Sequence, residues 1–262
     1  PAGKMQSDYW YTAERLLHRM EAPEDVGRRA AERVLRKLGP RKVTTRQVPV
    51  VFDPTMTASL LGMVVAAAAG DAFFKRSTFL VGAEETQVGS PLVNVTDDPL
   101  LPGRLATRPF DGEGVRQQPR PLFEAGVFRQ FLFDSYYARR TGRRTTGSAS
   151  RTTDGVGIGA SNLVWQPGET PRESIISSIR DGLYLTTMMG FGYNQTTGDF
   201  SKGAAGIWIE DGRLAYPVDE INVSGNMRRL LADVQAVGDD LQWFGSAATP
   251  TVLVGNLTVS GL

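Results

Sequence analysis

Residues 48–71 read VPVVFDPTMTASLLGMVVAAAAGD, and two kinds of local structure meet inside them. Val48 to Phe52 is a run of β-branched and aromatic residues around one proline, which predicts a strand. Asp53-Pro54 then offers a side-chain acceptor for the first free helical N–H groups and a proline at the first helical position, so a helix is expected from about Pro54 to Ala69. The longest apolar run, Leu60 to Ala69, is well short of the roughly 20 residues that cross a bilayer. The stretch therefore reads as a buried helix packed on the strand before it. Between Met56 and Gly70 it contains no His, Glu or Cys.

Working outward, apolar residues at Val26, Ala30, Ala31, Val34 and Leu38 recur at helical spacing, with Gly39-Pro40 as a stop, and predict an amphipathic helix over Pro23 to Gly39. Two hairpins are expected where apolar runs flank Glu124-Ala125-Gly126 and Glu210-Asp211-Gly212-Arg213. Thr170-Pro171-Arg172-Glu173 combines an N-cap, a first-turn proline and an acid, predicting a helix through about Tyr184. A further helix is expected from Gly225 to about Ala236, with Met227, Leu230, Leu231 and Val234 inward, and a strand over Thr251 to Val259. The Pro- and Gly-rich stretch from Gly82 to Pro119 reads as a long ordered loop with short strands. Helices and antiparallel strands mix without regular βαβ alternation, so the fold class is α+β, mainly antiparallel sheets packed with helices.

The 262 residues include 29 Lys plus Arg against 28 Asp plus Glu, a net charge of +1, so no overall field draws in nucleic acid or an anionic membrane. There is no Cys, which excludes a disulfide scaffold and any thiolate metal ligand. No membrane span or export signal is legible, and a cytoplasmic location is expected. The chain opens at Pro1 on PAGKMQSDYW, which reads like the middle of a longer protein.

Candidate chemistry is sparse. His18, the sole histidine, lies between Arg15 and Arg19 and is expected on the surface, which leaves no Ser-His-Asp or Cys-His arrangement. Asp97, Asp98, Asp111, Glu113, Asp199, Asp239 and Asp240 could pair for acid–base work or hold a hard cation, but are expected as solvated turn residues. Residues 136–155, YYARRTGRRTTGSASRTTDG, hold Arg139, Arg140, Arg143, Arg144 and Arg151 beside two tyrosines, a make-up that suits a phosphate-bearing polymer, an acidic partner or a solvated loop. Residues 189–212, MGFGYNQTTGDFSKGAAGIWIEDG, lack the Walker order GxxxxGK[ST] and read either as a structural turn or as a peptide-contacting loop.

This last stretch, continued as RLAYPVDEINVSGNMRRLLADVQAVGDDL, resembles the TldE/PmbA type of the TldD/PmbA family, long labelled modulators of DNA gyrase. The resemblance extends through GKMQSDYWYTAE (3–14), AAERVLRKLGPRKV (30–43), FKRSTFL (74–80), TRPFDGEGV (107–115) and YYARRTGRRTTG (136–147). It implies that residues 1–262 form the C-terminal portion of such a protein, with the family's N-terminal domain absent from this chain.

The resemblance further implies a heterodimer of TldD-type and TldE-type subunits acting as a metallopeptidase on unfolded or leader-type peptides, in microcin maturation and antitoxin turnover. TldD-type chains carry a His-Glu-x-x-x-His motif and a later Cys as zinc site. Aligned on Gly70-Asp71, those positions hold Leu61, Gly62 and Ala66 here, and the Cys falls near Thr249. The expected function is therefore a non-catalytic subunit with no cofactor of its own, zinc residing in a TldD-type partner. A homodimer is kept open beside that assembly, and nucleic acid and membrane are not expected partners. Arg143, Arg144, Thr146, Gly147, Asn194, Thr197, Asp199 and Lys202 are candidate peptide or partner contacts. The alternative is a regulatory protein acting on gyrase or nucleic acid through the arginine-rich loop 136–151. An independent peptidase would need a nucleophile–base pair that the sequence does not present.

Overall fold

The computed structural model describes residues 5–261. Strand Arg46–Phe52 runs directly into helix Pro54–Ala67, and the Asp53 carboxylate caps the helix by accepting the Thr55 N–H at 3.0 Å. Val48, Val50 and Phe52 face the main core, while Val51 faces a second cluster with Ile175, Ile176 and Ile179. Side chains alternate along a strand, so a strand covered on both faces is apolar throughout. Pro49 cannot donate to the ladder, and the register against strand 252–260 slips between Val48 and Val50.

Six strands form the first sheet in the order 46–52, 181–189, 199–210, 213–226, 252–260 and 234–237. Strand 46–52 also pairs with 252–260, so the first five close on themselves as a small barrel without open edges. Within that sheet 46–52 and 181–189 run parallel and the other pairings antiparallel. A seven-stranded sheet of short strands runs in the order 242–244, 247–249, 163–165, 95–97, 120–124, 127–128 and 86–87, and hairpin 149–152/155–158 stands apart. Helix Pro54–Ala67 lies between the two large sheets. It buries Leu60, Leu61, Val64 and Ala67, and one continuous apolar core joins it to both.

Both expected hairpins form. Ala125-Gly126 (φ 47° and 79°) and Asp211-Gly212 (φ 45° and 75°) place both central residues in the left-handed region, as a type I′ turn requires.

Several expectations change. The helix predicted from Thr170 to Tyr184 spans only Arg172–Ser177, and Asp181–Met189 is a nine-residue barrel strand. Thr170 does not cap it, since Pro171 holds the cap position and no side chain bonds there. Tertiary pairing with 46–52 and 199–210 decides the conformation of GLYLTTMM. The helix predicted over 225–236 is Met227–Ala232, with the Asn226 side chain accepting the Arg228 and Arg229 N–H groups, and Val234–Val237 is a strand on 252–260. Its four predicted inward residues are all buried. The first helix, Pro23–Leu35, ends short of Gly39 and buries no residue completely. Asp97 and Asp111 are not solvated turn residues: they are 0% and 4% exposed.

Candidate functional site

Helix Pro54–Ala67 presents Ser59, Gly62 and Ala66 to the outside, while Leu61 is buried. Positions 61 and 66 are five residues apart, about 140° around a straight helix, so their side chains leave it in different directions. Thr249 is fully buried on the neighbouring strand, its hydroxyl donating to the Pro54 carbonyl at 2.7 Å. Leu61, Gly62, Ala66 and the committed Thr249 hydroxyl do not fit a zinc centre, which takes imidazole, thiolate or carboxylate donors converging on one point. Among the described residues, no three His, Cys, Asp or Glu side chains are gathered so as to hold a metal ion.

A groove of about 910 Å³ runs beside the first turns of this helix, walled by Met56, Ala58 and Ser59, by Thr186 to Met189, and by Tyr9, Trp10 and Phe244. Trp10 meets Phe244 edge-on at 5.5 Å and lies under the guanidiniums of Arg29 and Arg33. Asp8 at the rim pairs with Lys37 at 2.9 Å and Arg33 at 3.1 Å. Burial alone would raise the Asp8 carboxyl, but Lys37, the Tyr9 N–H and Arg33 outweigh it and hold the group below its usual range. Tyr184 donates to the other oxygen of the capping Asp53 at 2.9 Å, and burial together with that carboxylate keeps the phenol protonated.

The arginine-rich stretch is largely consumed by the fold. Asp134 caps helix Ser135–Arg140, accepting the Tyr137 N–H at 2.7 Å. Arg140 lies over Phe74, Arg151 donates to the Gly112 carbonyl, and Arg143 stacks on Phe73 while donating twice, both at 2.6 Å, to Glu84. Thr146 bonds to the backbone of Phe133, and the Gly147 carbonyl accepts from Gln117. Arg144 remains exposed, beside Arg116 and Arg120.

The 190–202 loop closes on itself. Asn194 accepts the Thr196 and Thr197 N–H groups, Thr197 accepts the Asp199 N–H, Asp199 accepts from Asn226, and Lys202 donates to the Gly190 carbonyl at 2.8 Å. Asn226 holds the Asp199 carboxyl below its ordinary value. Both candidate contact loops meet segment 73–84: Arg143 reaches its two ends, Phe73 and Glu84, while Gln195 reaches Ser77 and Phe79 in its middle. Phe191 stands fully exposed at the loop's base. His18 lies exposed in the short turn Leu17–Arg19, away from any of these groups.

Sequence reasoning missed three members of the arginine region, Glu84, Arg116 and Arg120. Glu84 and Arg116 lie in the Pro- and Gly-rich stretch from Gly82 to Pro119 and Arg120 opens the strand that follows it, and only the fold brings them beside 143–146. Groove residues 5–11 fell inside a matching motif but carried no chemical signal.

The sequence model of the PmbA/TldA metallopeptidase C-terminal domain matches residues 45–261. The metalloprotease PmbA of Escherichia coli O157:H7 is 35% identical over 259 residues, covering 99% of this chain and 56% of that protein. The chain thus spans little more than half the length of its curated relatives. A crystal structure from Bacteroides thetaiotaomicron, named for modulation of DNA gyrase, superposes with a TM-score of 0.88 at 32% identity, covering 97% of this chain and 55% of that one. TldE from Thermococcus kodakarensis superposes with a TM-score of 0.83 at 27% identity, covering 91% and 55%. The chain belongs to the TldD/PmbA family, as a C-terminal portion of the TldE/PmbA type.

Proposed function

We propose that the chain serves as a non-catalytic, metal-free subunit of a TldD/TldE-type metallopeptidase that processes or degrades peptides, with zinc held by a TldD-type partner. One observation carries this reading: at the positions that align with zinc ligands stand a buried leucine, a glycine, an alanine and a threonine already bonded to the Pro54 carbonyl. Zinc hydrolysis needs about three donor side chains and a base, and these residues supply neither. In this role the chain would support the partner and complete its substrate cleft, and the groove beside helix Pro54–Ala67 is the surface suited to that task. The test is zinc analysis with size-exclusion chromatography, on the chain alone and after mixing with a TldD-type protein. Stoichiometric zinc in a co-eluting complex and none in the isolated chain is expected; stoichiometric zinc in the isolated chain overturns the reading.

The gyrase-related name of a structural neighbour favours a second reading, a regulator of gyrase or nucleic acid. A supercoiling assay with purified gyrase tests it, and unchanged gyrase activity at saturating chain rejects it.

A further inference from the structure

The arginine-rich loop packs beside residues 130–133, and the two border an open cavity of about 630 Å³, separate from the groove beside helix Pro54–Ala67 and lined by three of the candidate contacts, Arg143, Arg144 and Thr146. Four guanidiniums line it, from Arg116, Arg120, Arg143 and Arg144, with Glu84 as the single lining acid. Glu84 is spent on Arg143 through two bonds of 2.6 Å, and that guanidinium is also held against Phe73 at 4.3 Å. Arg120 is 8% exposed and fixed by donating to the Ser148 hydroxyl at 2.7 Å and the Gln118 carbonyl at 3.2 Å, with the charges of Asp97 and Asp111 acting on it from behind. Arg116 and Arg144 are exposed, and their side chains make no hydrogen bond or ion pair to the described residues. Two uncompensated forks therefore border a cavity whose other two arginines are already locked.

We propose that this cavity binds the carboxylate side chains of an acidic peptide. Planar guanidinium forks pair bidentately with carboxylates, and Gln118 beside them has a side-chain amide without a partner among the described residues, free to bond a peptide backbone. Nucleic acid is the weaker match, because the lining rings, Phe131 and Phe133, are 1% and 2% exposed and offer no free face for a base. The choice of a peptide over a small carboxylate rests on the peptide-handling reading above. Binding to the isolated chain does not, so the two can fail separately.

The test is fluorescence anisotropy on the isolated chain with three labelled probes: C-terminally amidated hexaglutamate, amidated hexaglutamine and oligothymidylate. Hexaglutamate is expected to bind in preference to both others, with an affinity that falls as salt rises. The double variant Arg116→Ser/Arg144→Ser should weaken hexaglutamate about tenfold or more, in keeping with the loss of charged hydrogen bonds. Arg139→Ser/Arg140→Ser removes equal charge from the adjacent helix and should leave the affinity unchanged. Equal binding of hexaglutamate and hexaglutamine overturns the proposal without recourse to any variant, as does tighter binding of oligothymidylate. An equal loss in the two double variants overturns it as well.

Discussion

Asp97 is fully buried, and its Oδ1 accepts both the N–H and the hydroxyl of Ser161 while its Oδ2 has no partner. Burial pushes its carboxyl above the usual range, with the Ser161 bonds and the Arg120 and Arg108 charges opposing that shift in part. A raised carboxyl binds its proton more tightly in the folded state. Its contribution to stability is therefore full below the unfolded value and is lost as pH rises through the folded one. Asp97→Asn keeps an oxygen for Ser161 and removes the titration. Chemical denaturation from about pH 4 toward neutrality should show the variant gaining stability relative to the parent. A constant difference would mean that Asp97 titrates normally. Asp8, held low, has the opposite sign: it stabilises above the ordinary carboxylate range and loses that contribution as pH falls. Thr249→Val breaks the bond to the Pro54 carbonyl in a fully buried site and should cost about 1–3 kcal/mol in denaturant unfolding. At this scale the sequence was a poor guide to burial. Asp97 looks like a loop acid because the group that replaces its water, Ser161, lies 64 residues away; Asp111 takes the nearby Glu113 and Val115 N–H groups on one oxygen, and the Ala149 N–H that serves the other lies 38 residues away.

Among the elements, helix Pro54–Ala67 was legible because its start is written locally, in Asp53-Pro54, and its end in the small residues before Gly70-Asp71. The hairpins were legible for the same reason, since a two-residue turn carries its own signal. Arg172–Ser177 and Met227–Ala232 were predicted too long because what ends them is pairing with distant strands, which the local pattern does not contain. Two glycines of the central helical region separate local propensity from packing. A Cβ at Gly62 meets nothing within 4 Å, so Gly62→Ala should raise stability by about 0.5–1 kcal/mol. At Gly70 a Cβ would lie 2.8 Å from the Leu132 carbonyl oxygen, so Gly70→Ala should destabilise, and thermal melts of the two variants should move in opposite directions. If Gly62 is where a partner subunit approaches, the same Gly62→Ala change weakens association while it stabilises the isolated chain.

For the whole molecule, a closed barrel and a second sheet clasp one apolar helix, and the first turns of that helix border a groove. No helix among the described residues is long and apolar enough to cross a membrane. The family was legible from long motifs in order. The cavity of Arg116, Arg120, Arg143 and Arg144 was only half legible: 143 and 144 stood out in an arginine-rich run, while the other two sit between prolines and glutamines. The most direct test of the central claim is a peptide-cleavage assay run on the chain alone, on a TldD-type partner alone, and on the two together, each with and without a zinc chelator. The account predicts no cleavage by the chain alone, and cleavage by the mixture that the chelator abolishes. Cleavage by the chain alone, surviving the chelator, would contradict it.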